Sequence, residues 1–205
     1  MLNAERLTCS RGARTLFRDL DLALAPGELV QVEGANGSGK TTLLRALCGL
    51  VPLDAGTVRW DGADIDEARI EFLAALTYVG HAPAVKQDLT GRENLRAISA
   101  LAGVPRATTI DEALAHLELR DLADTALRAL SAGQRRRVGL ARLLLHPTVL
   151  WVLDEPFTAL DVAGKRILER LVRDHCRRGG MALVTTHQPA DFGDLPVRTI
   201  HLGSP

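Results

Sequence analysis

Short apolar stretches of strand length alternate along the chain with longer stretches in which apolar residues recur every three or four positions. The first pattern predicts β-strands and the second predicts amphipathic α-helices. Glycine and proline residues mark many of the boundaries between the two kinds of segment. This alternation is typical of an α/β fold built around a mainly parallel sheet, which is the fold class that we expect.

Three stretches are predicted to form the centre of this sheet. Residues 149–153 and 181–185 are mostly apolar runs of the kind found in strands that are buried on both faces. Residues 29–33 are the third predicted strand, and a glycine-rich loop and a helix over residues 41–50 follow it. An amphipathic helix over residues 162–178, ended by two glycines, is predicted to connect the first two strands.

Two further patterns extend this core. Residues 20–24 alternate apolar and polar positions, and residues 57–60 lead into an Asp-Gly turn, so both are predicted to be antiparallel strands beside the core sheet. Residues 89–146 have helical periodicity, and Thr90 and Glu93 near their start have the spacing of a capping box. We expect a single domain of 205 residues in which residues 89–146 form an inserted helical subdomain.

Charge and composition narrow the classes of partner. The 25 basic side chains balance 25 acidic ones, so no overall field draws the chain to nucleic acid or to anionic lipid. No apolar run approaches the ~18 residues that a membrane-spanning helix needs. We expect a cytoplasmic chain with no nucleic-acid partner, in which the three cysteines are free thiols.

Residues 34–41 match the phosphate-loop pattern G-x-x-x-x-G-K-[ST] in full, directly after a predicted strand and directly before a predicted helix. Glycine backbone N–H groups can turn inward around a phosphate, and the N-terminus of the helix adds positive potential. We expect Lys40 to contact the β and γ phosphates of ATP and Thr41 to hold Mg²⁺ through its hydroxyl. The alternative, a glycine-rich turn with a solvated lysine, does not account for the flanking elements. The residues expected to bind nucleotide in this loop are Gly34, Ala35, Asn36, Gly37, Ser38, Gly39, Lys40, Thr41 and Thr42.

Two carboxylates follow the buried strand at residues 149–153. Asp154 lies at its carboxyl end, where parallel sheets bind their ligands, and an unpaired carboxylate after five apolar residues is costly unless it meets a cation. We expect Asp154 to be a Mg²⁺ ligand through water and Glu155 to be the general base that activates the attacking water. The alternative is an acidic strand end that pairs with a basic side chain at the surface.

Further motifs point to a known family. Residues 130–134 read Leu-Ser-Ala-Gly-Gln and resemble the signature of ABC-transporter ATPase domains, usually written LSGGQ. Residues 158–161 look like the D-loop of that family, and His187 looks like its switch histidine. Together with the phosphate loop, these motifs follow the family order over residues 34–187. The chain therefore resembles an ABC-type, P-loop NTPase subunit that hydrolyses ATP.

The resemblance implies a mechanism that requires two chains. In this family two nucleotide-binding domains associate head to tail, and each ATP lies between the phosphate loop of one and the signature of the other. Ser131, Gly133 and Gln134 would then bind the γ-phosphate held by a second copy. The resemblance further implies that Asp161 couples the two sites and that His187 contacts the γ-phosphate and the attacking water.

Two positions depart from the family pattern. Where the family usually has a glutamine that contacts Mg²⁺ and faces the membrane partner, this chain has His81. His81 either accepts a hydrogen bond from a water on the metal or only packs on the partner. The aromatic residue that stacks on adenine is missing; Arg11 stands near its place and can stack on a base, whereas Phe17 is expected to pack in the core.

A helix is predicted directly after the signature, over residues 132–145, and it contains four arginines: Arg135, Arg136, Arg137 and Arg142. They suggest a nucleic-acid surface, but aromatic residues are only 3% of the chain, so few side chains could stack on bases. We expect instead a solvated helix face that complements acidic groups of a partner.

Several short sequence segments resemble one branch of the family, the ATPase subunits of the bacterial cytochrome c maturation system, often called the haem exporter. The similarity lies in residues 14–17, in residues 80–83, in the three arginines after the signature and in residues 150–157. It implies a CcmB-like membrane permease with CcmC-like and CcmD-like proteins as partners, and a peripheral location on the cytoplasmic face of the inner membrane. ATP hydrolysis would then drive release of the haem-loaded chaperone CcmE. The alternatives are the ATPase subunit of another ABC exporter and a soluble ABC ATPase without a transport role.

Overall fold

The computed structural model describes residues 1–102 and 108–203. Within these ranges the chain forms nine β-strands in two sheets and seven α-helices. The strands are β1 (Leu2–Arg11), β2 (Arg14–Leu24), β3 (Leu29–Glu33), β4 (Ala55–Trp60), β5 (Ala63–Asp64), β6 (Leu76–Val79), β7 (Leu150–Asp154), β8 (Met181–Thr185) and β9 (Val197–His201). The helices are α1 (Lys40–Leu47), α2 (Arg69–Ala75), α3 (Gly91–Ala102), α4 (Ile110–His116), α5 (Ala132–Leu140), α6 (Arg142–Leu145) and α7 (Val162–Arg177).

The core sheet has five strands in the order β6-β7-β8-β3-β9, and every neighbouring pair is parallel. The parallel α/β fold expected from the sequence is therefore confirmed. The three predicted central strands are β3, β7 and β8. Strand β8 separates the strand that leads into the phosphate loop from the strand that ends in Asp154.

Alternate residues of the central strands face two separate hydrophobic cores. In β7, Trp151 and Leu153 belong to a core shared with helices α3 to α7, whereas Leu150 and Val152 belong to a core shared with α1 and the antiparallel sheet. All five residues of β7 and all five of β8 are buried. Burial on both faces explains why these strands appear in the sequence as apolar runs rather than as alternating patterns.

The second sheet is antiparallel, with the order β2-β1-β4-β5. It contains the two antiparallel strands that were predicted at residues 20–24 and 57–60. Strand β1 was not predicted. Its buried positions change phase between Ala4 and Leu7, because the pairing register shifts there and Arg6 has a φ of 50°. This irregularity hides the two-residue period by which a strand is found in a sequence.

The helices begin and end at recognisable signals. Helix α1 is shorter than predicted, because Gly49 adopts a φ of 65° and Leu50 N donates back to Arg45 O over 2.8 Å. At the start of α3, Glu93 N donates to Thr90 Oγ1 and Thr90 N donates to Glu93 Oε2, which confirms the predicted capping box. The helix predicted after the signature is divided into α5 and α6 at Ala141.

Helices α3 to α6 lie between β6 and β7 in the chain, and α3, α4 and α6 pack against one another. They occupy the stretch for which a helical subdomain at residues 89–146 was expected. Part of that stretch, residues 103–107, lies outside the described residues. The three cysteines are all buried and free, as the sequence predicts.

Candidate nucleotide-binding site

The phosphate loop joins the end of β3 to the start of α1 at the carboxyl edge of the core sheet. Two of its glycines are required by their backbone. Gly34 has a φ of 155°, and a Cβ there would stand 2.6 Å from Ser38 Oγ and 2.7 Å from Leu202 O. Gly39, which caps α1, has a φ of 100°. Side chains at these positions would strain the loop and fill its inner face.

Two polar side chains of the loop are turned inward. The Lys40 ammonium donates to the carbonyl oxygens of Gly34 over 2.7 Å and of Ala35 over 3.1 Å, and only 7% of the residue is exposed. Ser38 is 2% exposed, and its hydroxyl has no hydrogen-bond partner in the part of the chain that the structure describes. A buried hydroxyl and a buried ammonium beside a helix N-terminus form a donor set suited to an anion.

Below the loop, Asp154 is held by two hydroxyl groups. Thr41 Oγ1 lies 2.9 Å and 3.1 Å from the two carboxylate oxygens, and Thr185 Oγ1 donates to Asp154 Oδ1 over 2.9 Å. Asp154 is 1% exposed, and a carboxylate buried to this extent would be costly without these hydrogen bonds. Hydroxyl and carboxylate oxygens are the ligand types that Mg²⁺ prefers, and the donor set therefore fits this ion.

Glu155 follows Asp154 in a left-handed backbone conformation, with a φ of 47°. Such a conformation is unfavourable for a side chain of this size and persists where neighbouring contacts hold it. Here the Glu155 N–H donates to Thr185 Oγ1 over 2.9 Å, and the Glu155 carbonyl accepts a bond from Arg136. In this conformation Glu155 lines the cavity beside the phosphate loop.

His187 meets this carboxylate from the end of β8. Its Nε2 lies 3.0 Å from Glu155 Oε1, although the two groups are not aligned as a hydrogen bond. The next turn is fixed by Thr186, whose hydroxyl bonds to both the N–H and the carbonyl of Gln188. The His187 side chain is 44% exposed and the Glu155 side chain 16%, so the pair stands at the wall of an open cleft.

These groups surround one cavity of about 650 Å³, which we call the phosphate cavity. The structure places ten of the residues singled out in the sequence on its wall. They are Arg11, Asn36, Gly37, Gly39, Lys40, Thr41, Thr42, His81, Glu155 and His187. Gly34, Ala35 and Ser38 belong to the same loop, and Asp154 lies beneath it in contact with Thr41.

The remaining residues singled out in the sequence lie outside this wall. Ser131, Gly133 and Gln134, which we call the signature cap, form the start of α5, where Ser131 and Gln134 satisfy each other in a capping box. Asp161 caps α7 through a bond from Gly164 N to its Oδ1. A Cβ on Gly133 would stand 2.8 Å from Ala159 O, so the signature cap is packed against the D-loop turn.

The sequence analysis assigned no place in the nucleotide site to several residues that the structure puts there, including Thr158 at the start of the D-loop. Arg14, Leu16 and Thr158 also line the phosphate cavity, and Thr185 links Asp154 to the backbone of Glu155. A threonine at the end of a predicted parallel strand was the available signal for Thr185. Phe17 is 6% exposed and packs in the core, as expected from the sequence.

The expectation that the arginine cluster forms a solvated face is wrong. Arg136 is 3% exposed, and its guanidinium donates to five backbone carbonyls. Burial lowers the pKa of Arg136 from its usual value, and nearby Asp154 opposes that shift. Arg135 donates to the carbonyl of Leu130, and Arg142 donates to the carbonyls of Gly139 and Pro83. Arg137 forms ion pairs with Glu118 and Asp161. Backbone carbonyls of this chain, rather than solvent, therefore accept most of the hydrogen bonds that these guanidinium groups donate.

Fold and site together define a class of protein: a phosphate-loop NTPase in which a parallel sheet presents the loop, a buried aspartate and an adjacent glutamate at one edge. Sequence comparison gives the family. The ABC transporter family model matches residues 17–158. The chain is 51% identical to the cytochrome c biogenesis ATP-binding export protein CcmA of Methylococcus capsulatus, over 93% of this chain and 92% of the relative. It is 47% identical to the CcmA protein of Dechloromonas aromatica, over 99% and 100% of the two chains. The chain therefore belongs to the ABC transporter family and, within it, to the CcmA group of ATP-binding proteins.

Solved structures agree with this assignment. A bacterial ABC transporter cassette solved as a dimer has a TM-score of 0.82 and 25% identity, over 100% of this chain and 95% of that one. An ATP-binding cassette solved as a dimer in a post-hydrolysis state with ADP and phosphate has a TM-score of 0.79 and 25% identity, over 98% and 94% of the two chains. Among the described residues, no helix has the length and apolar character needed to cross a bilayer.

Proposed function

We propose that this chain, an ATP-hydrolysing subunit of the cytochrome c biogenesis export transporter, works as one half of a head-to-tail dimer. The main observation in favour of a dimer is that the residues expected to contact ATP lie in two separate regions of the chain. The phosphate cavity holds the loop, the metal-side oxygens and the base, whereas Ser131 and Gly133 lie outside it. A second copy that presents its signature cap would complete the cavity. The similar cassettes solved as dimers support this arrangement.

In this proposal the phosphate loop binds the triphosphate of ATP. Lys40 exchanges its loop carbonyls for the β and γ phosphates, and the backbone N–H groups at the start of α1 donate to the same anion. Because the glycine conformations of the loop are already set, little ordering is needed when the phosphate enters. Arg11 stands at the rim of the cavity and is our candidate for contact with the adenine.

Thr41 and Asp154 are the residues that would hold Mg²⁺, which neutralises charge on the phosphate oxygens. Thr185 keeps Asp154 oriented, because it donates to the carboxylate while accepting from Glu155 N. For His81 both roles remain under consideration: a contact on the metal side through water, or packing on the membrane partner. Its imidazole lines the cavity, yet nitrogen is a poor match for Mg²⁺, so a contact through water fits better than direct coordination.

Glu155 would accept the proton of the attacking water, and His187 would orient that water and the γ-phosphate. The 3.0 Å approach of His187 Nε2 to Glu155 Oε1 supports this pairing. Asp161, at the start of α7 and beside the signature cap, would pass the state of one site to the other. Hydrolysis then removes the charge that joins two copies, and the dimer separates.

The partners and location follow from the family as further parts of the proposal. We assign the chain to the cytoplasmic face of the bacterial inner membrane, held there by a CcmB-like permease with CcmC-like and CcmD-like proteins. We also propose that the 205 residues act as one nucleotide-binding domain with a helical subdomain at residues 89–146. The packing of α3, α4 and α6 against one another supports that division.

Gene deletion with complementation tests the function. We expect loss of holocytochrome c in the deletion strain, recovery with the parent gene and no recovery with Glu155→Gln. The matched control is Glu71→Gln, because Glu71 is exposed on α2 and lies outside the phosphate cavity. Normal c-type cytochromes in the deletion strain would exclude this function and favour another exporter.

Replacement of His81 by glutamine separates its two alternatives. If His81 contacts the metal side through water, His81→Gln should change the pH dependence of hydrolysis, because glutamine does not titrate. If it only packs on the membrane partner, ATPase activity of the purified chain and its pH dependence should both stay as in the parent. Steady-state hydrolysis from pH 5.5 to 8.5, at saturating ATP, distinguishes the two outcomes.

A further inference from the structure

Arg136 is the most completely bonded charged side chain of the described site. Its Nε donates to Pro156 O over 3.2 Å, and Nη2 donates to Asp154 O and Glu155 O over 3.3 Å and 3.0 Å. Its Nη1 donates to the carbonyls of Gly80 and His81, both over 2.9 Å. A guanidinium has five N–H donors, and here five carbonyls receive them.

The five carbonyls belong to two separate segments. Three lie in the turn that sets the conformation of Glu155, and two lie in the loop after β6 that carries His81. A bond network that is buried and fully satisfied is rigid, because no alternative partner or water can replace a lost bond without cost. Arg136 thus fixes the distance between the loop and the turn from a position in α5.

The same helix presses on the loop at a second point. A Cβ at Gly139 would stand 2.8 Å from Pro83 O and 3.0 Å from Pro83 Cβ. Gly139 is one turn after Arg136 and therefore on the same side of α5. The loop from Gly80 to Pro83 is consequently seated along one face of this helix and has no room to shift toward it.

From this geometry we infer that Arg136 is a positioning residue that couples the loop at Gly80 and His81 to the catalytic turn at Glu155. A displacement of the loop would then change the placement of the Glu155 carboxylate rather than nucleotide affinity. The inference rests on the proposed function in one respect, which is the role of Glu155 as the base. Because the loop carries the residue expected to face the membrane partner, the coupling gives that partner a route to the hydrolytic step.

The first test compares Arg136→Gln with Val138→Ala in the purified full chain. Val138 is 1% exposed on the same helix, so its truncation destabilises α5 while keeping the five hydrogen bonds of Arg136. We expect Arg136→Gln to lower kcat by about 10- to 100-fold while KM for ATP stays within about 3-fold. Val138→Ala should keep kcat within about 3-fold at a similar loss of melting temperature. Equal losses of kcat in the two variants at equal melting temperature would overturn the inference.

The second test displaces the loop directly. Gly139→Ala adds a methyl group against Pro83, and we expect it to lower kcat in the parent background but to add little in the Arg136→Gln background. Arg136→Lys, which keeps the charge and fewer donors, should lie between the parent and Arg136→Gln. Independent effects of Gly139→Ala in the two backgrounds would contradict the coupling.

Hydrogen exchange provides a readout that does not depend on ATPase activity. In Arg136→Gln the backbone amides of residues 80–82 and of residues 154–155 should exchange faster together, whereas Val138→Ala should leave both unchanged. A response in only one segment, or in neither, would refute the coupling. If instead both segments respond but the parent chain shows no hydrolysis that Glu155→Gln abolishes, the proposed function fails and the coupling stands.

Discussion

The phosphate cavity and the signature cap satisfy their polar groups in opposite ways. In the cavity, Ser38 has a buried hydroxyl without a hydrogen-bond partner among the described residues, and the Lys40 ammonium is turned onto loop carbonyls. At the signature cap, Ser131 and Gln134 bond to each other and complete the end of α5. The first region thus leaves buried donors that an anionic ligand would satisfy, whereas the second is complete as a helix terminus. The difference suggests that ATP enters the cavity first and that the cap of a second copy meets it afterwards.

Lys40→Ala should have the largest effect, because it removes the only buried ammonium that the described residues place in the phosphate cavity. We expect nucleotide affinity and hydrolysis to fall together, each by at least about 100-fold. Equilibrium binding of a fluorescent ATP analogue and steady-state hydrolysis would measure the two losses. Lys86→Ala is the matched control, since Lys86 is exposed and lies away from the cavity wall. Retained ATP affinity in Lys40→Ala would mean that the loop binds phosphate by its backbone alone.

Glu155→Gln should separate binding from chemistry. The amide keeps the shape of the side chain but cannot accept the proton of water, so hydrolysis should fall by about 100- to 10,000-fold with ATP affinity unchanged. A dimer should accumulate in the presence of Mg²⁺ and ATP, because the charge that joins two copies is not removed. Light scattering after gel filtration would detect it. Parental turnover in this variant would assign the base to another residue.

Ser131→Asp tests the signature cap without unfolding it. Aspartate caps a helix as well as serine does, so the melting temperature should stay close to that of the parent. Its negative charge would face the γ-phosphate of the second copy, and we expect hydrolysis to fall by at least about 10-fold while ATP binding to the single chain is retained. Thr109→Asp at the equivalent cap of α4 serves as the control. Full activity of Ser131→Asp would show that the cap does not meet a phosphate.

Asp161→Asn should give the smallest effect. Asparagine preserves the bond from Gly164 N that begins α7, so stability should be unchanged, whereas Asp161→Ala should cost about 1 kcal/mol. If Asp161 couples two sites by its charge, Asp161→Asn should reduce the cooperativity of ATP hydrolysis with a change in kcat of only about 3-fold. Unaltered cooperativity would leave Asp161 with a structural role alone.

The sequence predicted the parts of this molecule that are local in the chain. The phosphate loop, the Thr90 capping box and the buried strands depend on residues that are close in sequence, so their patterns are visible without a structure. Strand β1 was missed because a register shift interrupts its alternation. The burial of Arg136 could not be predicted either, since its carbonyl partners lie about 20 and 56 residues away in the chain and carry no side-chain signal. Local motifs thus predict the candidate ligand-binding groups, and long-range contacts determine how these groups are held.

The two tryptophans lie in different hydrophobic cores, so the fluorescence of each one reports on one core. Trp60 packs on Phe72 in the core shared with the antiparallel sheet, and Trp151 stacks on His175 in the other core, with ring centroids 3.8 Å apart. Burial lowers the pKa of His175 from 6.5 to about 4, so the imidazole is neutral at physiological pH and becomes a cationic quencher of indole only in acid. Fluorescence of single-tryptophan variants would therefore reveal whether the two hydrophobic cores unfold together. On acidification, the fluorescence of Trp151 should fall before that of Trp60.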